Sequence, residues 1–315
     1  TGGSGTTNSI TAADIVLDDA QSWSAGGTSA HTLSVTSDVD NGGNDLTLEG
    51  VGTVSQSGVI SGAGDTIIAG PGIARLAGAN TFAGDTTLNA GTALIANNAG
   101  LGAGEFNVNG GVVQAEGTRT VANDMQWNAS FAFGNGGAFD FTGDTTLGAS
   151  LTTTLNNSNA VDISGNIANA GNTLTVTSTT NNALEISGIL SGVGGLTTGG
   201  SAVVELTNDQ TYTGATSVTG DSTLDIDATG SIDSAATVSG TALLTVDGET
   251  SESVTVSGGT VNGTGTIGDG DDDLTVEAGG AVAPGTSIGE LDIDGDFTLE
   301  EDGVYEAEIN NTAST

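Results

Sequence analysis

The sequence has no cysteine and no lysine, and its only histidine is His31. Its only cations are Arg75 and Arg119, set against 39 acidic residues. Without cysteine, neither a disulfide framework nor a thiolate metal site can form. Two cations cannot neutralise a run of phosphates, so the sequence predicts no binding of nucleic acid. No run approaches the roughly 18 apolar residues of a membrane-spanning helix, and an anionic membrane surface would repel the chain.

The net charge of -37 over 315 residues predicts counter-cations as partners. The absence of lysine suggests a saline habitat, in which acidic surfaces hold hydration, so we expect a halotolerant protein. The chain starts at Thr1 without a basic and apolar leader, which is compatible with a mature exported chain or with an excised segment.

Short triplets of apolar, polar and apolar residues recur along the chain and predict strands with one buried face. Glycine, asparagine and aspartate separate them and supply turns, as in residues 41–45 and 262–265. No stretch has a convincing 3.6-residue period, so the sequence predicts an all-β chain. The triplets are Leu33–Val35, Leu46–Leu48, Leu174–Val176, Leu224–Ile226, Leu244–Val246, Leu274–Val276 and Leu291–Ile293.

An internal repeat has an offset of 130 residues. Residues 57–64 read SGVISGAG and residues 187–194 read SGILSGVG. At the same offset, residues 80–88 (NTFAGDTTL) match residues 210–218 (QTYTGATSV). A shared offset without a gap indicates stacked units rather than a closed globule.

The fold that this pattern predicts is a single-stranded parallel β-helix, or β-solenoid, over residues 1–315. Each short strand would pair with its equivalent one turn later and bury a column of small and β-branched side chains. Turns of about 20 residues, spaced by about 4.8 Å, would give about 15 turns and a length of about 70 Å. We expect repeat units of approximately 1–116 and 117–238 and a C-terminal section 239–315. The alternative is an antiparallel sandwich or barrel.

Residues 70–92 (GPGIARLAGANTFAGDTTLNAGT) resemble the autotransporter-associated β-strand repeat. The second copy, residues 200–218, departs from that pattern at Asn208 and Gln210. Residues 279–297 are similar to the P-G-x-S-I-G-x-L stretch near the end of autotransporter passenger solenoids, and residues 303–309 fit that context. The resemblance implies a right-handed β-helix on the cell surface or outside the cell, exported through a Gram-negative outer membrane.

Candidate catalytic residues are few. His31 could serve a Ser/His/Asp triad, but no nucleophile motif accompanies it, so a turn or surface histidine is the simpler interpretation. Thr286 and Ser287 lie in a Pro-Gly turn. Carboxylate pairs can cleave glycosidic bonds, but pairs such as Asp18–Asp19 and Glu300–Glu301 follow from the acidic composition. The sequence therefore assigns no catalytic, cofactor-binding or metal-binding residue.

Two further features have two interpretations each. The turn Asp269–Asp273 matches part of a calcium-binding nonapeptide, although a single copy favours a solvated acidic turn. The strand-spaced pairs Phe131/Phe133 and Phe139/Phe141, with Trp23 and Trp127, indicate an aromatic section of the core or a contact patch for a ligand or subunit.

Three functions remain. We expect a non-enzymatic extracellular structural or adhesive solenoid that binds a surface receptor or glycan. The alternatives are a subunit of an extracellular filament, associating with itself end to end or laterally, and a polysaccharide-acting β-helix enzyme.

Overall fold

The computed structural model describes residues 5–285 and 288–307, which form an all-β solenoid of about 14 turns. The described residues contain no helix, and their named strands pair in parallel. Equivalent residues of successive turns lie about 20 positions apart, as in the register of Thr86 with Phe106. The predicted fold class is confirmed. The right-handed winding implied by the resemblance stays a prediction.

The described chain divides into two compact units. The first contains the residues up to Ala149 together with Asn156–Val161, and the second contains Ser150–Leu155 and the residues from Asp162 onwards. The repeat boundaries expected from the sequence stay a prediction.

Strands of the first unit form three faces. The first sheet contains β1 (Thr7–Ile10), β4 (Thr32–Val35), β7 (Thr53–Gln56), β10 (Ile73–Leu76), β12 (Thr92–Ile95), β14 (Val112–Ala115) and β17 (Phe131–Phe133). The second contains β3 (Gln21–Ala25), β6 (Leu46–Gly50), β9 (Thr66–Ile68), β11 (Thr86–Leu88), β13 (Phe106–Val108), β16 (Met125–Trp127) and β19 (Thr145–Leu147). The third face holds two sheets: β2 (Asp14–Val16), β5 (Asp38–Asp40) and β8 (Ile60–Ser61), then β15 (Arg119–Val121) and β18 (Phe139–Phe141).

Strands of the second unit also form three sheets. The first contains β20 (Leu151–Leu155), β23 (Leu174–Ser178), β26 (Leu196–Gly200), β29 (Thr216–Val218), β32 (Ala236–Val238), β35 (Val254–Val256), β38 (Leu274–Val276) and β41 (Phe297–Leu299). The second contains β22 (Ile167–Ala168), β25 (Leu190–Gly192), β28 (Asp209–Tyr212), β31 (Ser231–Ile232), β34 (Glu249–Thr250), β37 (Thr266–Ile267) and β40 (Asp292–Ile293). The third contains β21 (Val161–Ile163, with Val161 in the first unit), β24 (Ala183–Ile186), β27 (Val203–Leu206), β30 (Thr223–Ile226), β33 (Leu243–Val246), β36 (Gly259–Gly263), β39 (Gly280–Pro284) and β42 (Val304–Tyr305).

Side chains alternate between the interior and the surface along each short strand, as a period of two requires. In β11, Thr86 and Leu88 are buried and Thr87 is half-buried. In-register pairing then aligns the inward residues into columns, such as Ile68, Leu88 and Val108. Burying a whole aliphatic side chain stabilises a fold by about 1.5–3 kcal/mol, so the columns supply a core that no single turn could form.

The two repeat copies each carry a buried side-chain amide at the same position. Asn80 accepts a hydrogen bond from the Ile60 amide (2.9 Å) and donates one to the Gly100 carbonyl (2.6 Å). At the equivalent position Gln210 accepts from the Leu190 amide, also at 2.6 Å. Both side chains are buried and bond the backbone of a neighbouring turn. A polar residue is therefore needed at this buried position, because an apolar one would leave the backbone amide without an acceptor.

Five aromatic residues of the first unit form an internal cluster. The rings of Trp127 and Phe131 lie 4.9 Å apart, and those of Phe139 and Phe141 lie 4.7 Å apart. With Phe133 they are at most 5% exposed. The interpretation of these residues as core is confirmed, and Trp23 is half-buried in β3.

Candidate functional site

The third face of the first unit is interrupted at residues 97–102. Residues 81 and 83 still pair with the turn of β8, because their amides donate to the carbonyls of Ile60 and Gly62. One turn later the chain folds into a local turn instead, with the Gly100 amide bonded to the Asn97 carbonyl (2.9 Å) and the Gly102 amide bonded to the Ala99 carbonyl (3.2 Å). No strand of the described chain lies beside β15 on this side, so β15 is the edge of its sheet.

A groove of about 500 Å³ lies against this edge. Gly102 has a φ of +72°, and a Cβ atom there would lie 2.6 Å from the ring of Phe82, so the wall must be glycine. The lining residues are Asn98, Ala99, Gly102, Ala103, Thr120, Ala122 and Asn123.

The backbone of β15 presents hydrogen-bonding groups to the groove. Arg119 and Val121 face β18, because the Arg119 amide donates to Ala138 and the Val121 carbonyl accepts from Thr142. The backbone groups of Thr120 therefore point away from β18, towards the groove. The Thr120 amide donates a hydrogen bond to the Asn98 side-chain oxygen at 3.3 Å. In the described chain, the Thr120 carbonyl and the Ala122 amide have no hydrogen-bond partner, and both residues are exposed.

A column of carboxylates lies one residue before successive strands of the second sheet, and two of its members, Glu105 and Asp124, closely follow the groove-lining residues Ala103 and Asn123 in sequence. Its members, called the acidic column below, are Asp45, Asp65, Asp85, Glu105, Asp124 and Asp144. Most of the aspartates are used within the fold: Asp65 accepts from the Asp85 amide at 2.8 Å, and Asp85 accepts from the Glu105 amide at 2.9 Å.

Glu105 differs from the aspartates of the acidic column. Its carboxylate accepts no hydrogen bond within the described residues, and the side chain is half-buried. Burial raises the pKa of Glu105, and the negative charges of Asp85 and Asp124 raise it further. A cation beside this carboxylate would relieve that repulsion.

Both cations of the chain act on one carboxylate near the same edge. Arg75 binds Glu116 through two hydrogen bonds of 2.6 and 2.7 Å. The hydrogen bond from Arg75 lowers the pKa of Glu116, and the charge of Arg119 adds to this effect. Arg119 donates to the Thr118 carbonyl at 2.8 Å, and its Nε has no partner in the described part of the chain.

The second unit carries a second stack of carboxylates on its third sheet. Glu185, Glu205 and Asp225 occupy the central positions of β24, β27 and β30 and pair in register. Burial, and then the neighbouring negative charges, raise the pKa of Glu185 and that of Asp225. This stack is a source of repulsion that the fold tolerates.

The catalytic candidates lie far from one another and from the groove in sequence. His31 is half-buried, and its Nδ1 is 3.0 Å from the Gly26 carbonyl, so it bonds the backbone of its own turn. The pairs Asp18–Asp19 and Glu300–Glu301 are exposed. Thr286 and Ser287 lie outside the described residues.

The acidic turn Asp269–Asp273 is partly explained by bonds between turns. Asp272 accepts a hydrogen bond from Ser253 at 3.1 Å, and Asp273 accepts one from the Asp296 amide at 3.0 Å. The remaining acids of the turn are exposed. Over residues 5–285 and 288–307, no three His, Asp or Glu side chains group as a metal ion would need.

Comparisons with known proteins give no assignment. No family model, curated protein or solved structure matches the chain. In the part of the chain that the structure describes, no helix is long and apolar enough to cross a membrane.

Proposed function

We propose that this chain is a non-enzymatic structural solenoid displayed at the cell surface or outside the cell, comparable to an autotransporter passenger. The observation that carries the proposal is the use of surface polar groups to tie turns together. Asn128 donates to Asn109 at 2.9 Å, and Asn109 donates to Asn89 at 2.8 Å. Such a ladder stiffens the stack and suits a scaffold that holds a ligand-binding surface away from the cell.

Hydroxyl groups do the same for carboxylates in the second unit. Ser231 donates to Asp209 and Ser251 to Asp233, both at 3.2 Å, and Thr264 donates to Asp247 at 3.0 Å. Each pair joins adjacent turns, so hydroxyl groups partly offset the repulsion of an acidic surface. These contacts support a mechanical function in a cation-rich medium.

A filament subunit is the second candidate. The last described turn exposes Phe297 (42%), Leu299 (44%) and Tyr305 (52%). Apolar side chains and open strand edges favour coverage by a further turn. In the filament proposal a second copy supplies that turn, and cations screen the nearby Glu300 and Glu301.

Electron microscopy of native material, combined with antibody labelling of intact cells, tests both proposals. Label on the cell surface and isolated rods are expected for the scaffold. Fibres with an axial repeat near one subunit length are expected for the filament. Labelling confined to the cell interior would contradict both, and glycan cleavage above background would support an enzyme instead.

A further inference from the structure

We propose that the open edge of β15 binds an extended basic segment of a different protein by strand addition. This inference goes beyond the scaffold function, because the edge would bind such a segment wherever the chain is located. It rests on the backbone groups of the edge, the groove beside it and the charge at one end of that groove.

The two partnerless backbone groups have the spacing that a parallel strand needs. In a parallel ladder, one residue donates its amide to the residue before its partner and accepts from the residue after it. The Thr120 carbonyl and the Ala122 amide flank Val121 in this way. An added residue opposite Val121 would therefore form both bonds and continue the sheet beyond β15, as in other complexes formed by strand addition.

The groove sets the side chains that fit. Its walls are mostly small, with Ala99, Gly102 and Ala103 on one side and Ala122 on the other. Small or β-branched residues of an extended peptide can approach such a surface closely. The interruption at residues 97–102 leaves this space open, because no strand of the described chain fills it.

Charge selects a basic partner and its orientation. A strand parallel to β15 begins near Arg119 and ends near Asn123, next to Asp124 and Glu105. A lysine or arginine at its C-terminal end would reach Glu105, whose carboxylate has no hydrogen-bond partner in the described chain. A hydrogen bond between two charged groups is stronger than one between neutral groups.

The same argument identifies the source as another protein. The sequence contains no lysine, and Arg75 is already bonded to Glu116 while Arg119 lies in the edge strand itself. A second copy would bring a net charge of -37 and no basic segment. A basic partner would also be drawn towards the chain by long-range attraction.

The binding test uses a fluorescein-labelled hexapeptide, capped at both ends, with four alternating threonine and valine residues followed by two lysines. Fluorescence polarisation should show saturable binding to the intact chain. A peptide with glutamate in place of both lysines should bind at least about tenfold more weakly. Methylation of the valine amide that donates to Thr120 should cause a loss of about the same size.

Matched variants separate the edge from general attraction. Glu105→Gln and Asp19→Asn each remove one negative charge, but only the first lies beside the groove. Glu105→Gln should weaken binding about tenfold, whereas Asp19→Asn should leave it within about twofold. Ala103→Trp, which fills the groove with a large ring, should abolish binding. Circular dichroism of each variant should match that of the parent chain.

Hydrogen exchange provides a direct readout that does not need a variant. Binding of the hexapeptide should slow exchange of the Ala122 amide and leave that of exposed amides in the second unit unchanged. Absence of binding to the parent chain, equal binding of the methylated peptide, equal effects of Glu105→Gln and Asp19→Asn, or unchanged exchange at Ala122 would each overturn the proposal.

Discussion

Arg75 of β10 is bonded to Glu116, which follows β14, and the pair therefore spans two turns of the first unit. The Arg75 Nε donates to Oε2 at 2.6 Å and its Nη2 donates to Oε1 at 2.7 Å. The two side chains thus form an ion pair between neighbouring parts of the solenoid surface. A cation that the composition makes rare is thus used to tie turns together.

We expect Glu116→Gln to destabilise the first unit by up to about 1 kcal/mol in dilute buffer, and by less in molar salt. The small size follows from exposure, since the two side chains are 29% and 47% exposed. Urea unfolding of Arg75→Gln, Glu116→Gln and the double variant gives the coupling between them. Additive effects of the two single substitutions would show that the pair contributes nothing.

The carboxylate stack of the second unit should make the fold more stable on mild acidification. The pKa of Glu185 and that of Asp225 are raised, so the folded chain holds these protons more tightly than the unfolded chain. At neutral pH the ionised carboxylates of the stack therefore destabilise the folded chain. This destabilisation disappears as the pH falls through the folded pKa values towards the unfolded values near 4. Melting temperature should therefore rise as the pH falls from 7 towards about 4.5.

Glu185→Gln provides the control for this pH dependence. The variant should melt higher than the parent at pH 7 and change less between pH 7 and about 4.5, because one charge of the stack is missing. Asp19→Asn, outside the stack, should keep the parental slope. The pKa of Glu116 is lowered, so its ionised form stabilises the folded chain. That stabilisation is lost only when the pH falls below the unfolded pKa of Glu116, which lies outside the range from pH 7 to about 4.5. A flat or falling melting temperature in the parent would contradict the prediction.

Salt should raise the melting temperature of the whole chain. With 39 acids and two cations, repulsion between carboxylates opposes folding, and ions screen it. Scanning calorimetry in dilute buffer, molar sodium chloride and millimolar calcium should show higher values in both salts. An unchanged or lower melting temperature in molar salt would exclude repulsion as a major cost.

The buried amides of the repeat should matter more than exposed ones. Asn80→Ala leaves the buried Ile60 amide without its acceptor, and Gln210→Ala does the same to the Leu190 amide. Each substitution should cost about 1–3 kcal/mol by denaturant unfolding. Asn109→Ala, in the exposed ladder, should cost about 0.5 kcal/mol or less. Equal losses at Asn80 and Asn109 would disprove the distinction.

The strands could be predicted from the sequence because each carries its own pattern. Triplets such as Leu174–Val176 and Leu244–Val246 lie in β23 and β33, and the first and third residues of each triplet are buried. The repeat then indicated stacking, since a strand of three residues has too little apolar surface to fold alone. Local alternation and long-range recurrence are both visible in the sequence itself, because neither depends on where side chains lie in three dimensions.

The groove could not be predicted in the same way, because it depends on register. Residues 97–102 read like any other turn, and only their position one turn before β15 makes that strand an edge. The acidic column had a usable signal, since Asp45, Asp65, Asp85 and Glu105 recur at intervals of 20 residues. The bond from Arg75 to Glu116 spans 41 residues, or two turns, and needs the turn length to be known.

The strand that contains Arg75 has a consequence for proteolysis. Enzymes of the trypsin type cut after basic residues, and this sequence offers them only the bonds that follow Arg75 and Arg119. The first lies inside β10, held by β7 on one side and β12 on the other. The second lies in β15, the open edge of its sheet, so to such a digestive enzyme the folded chain presents a single bond at an edge strand.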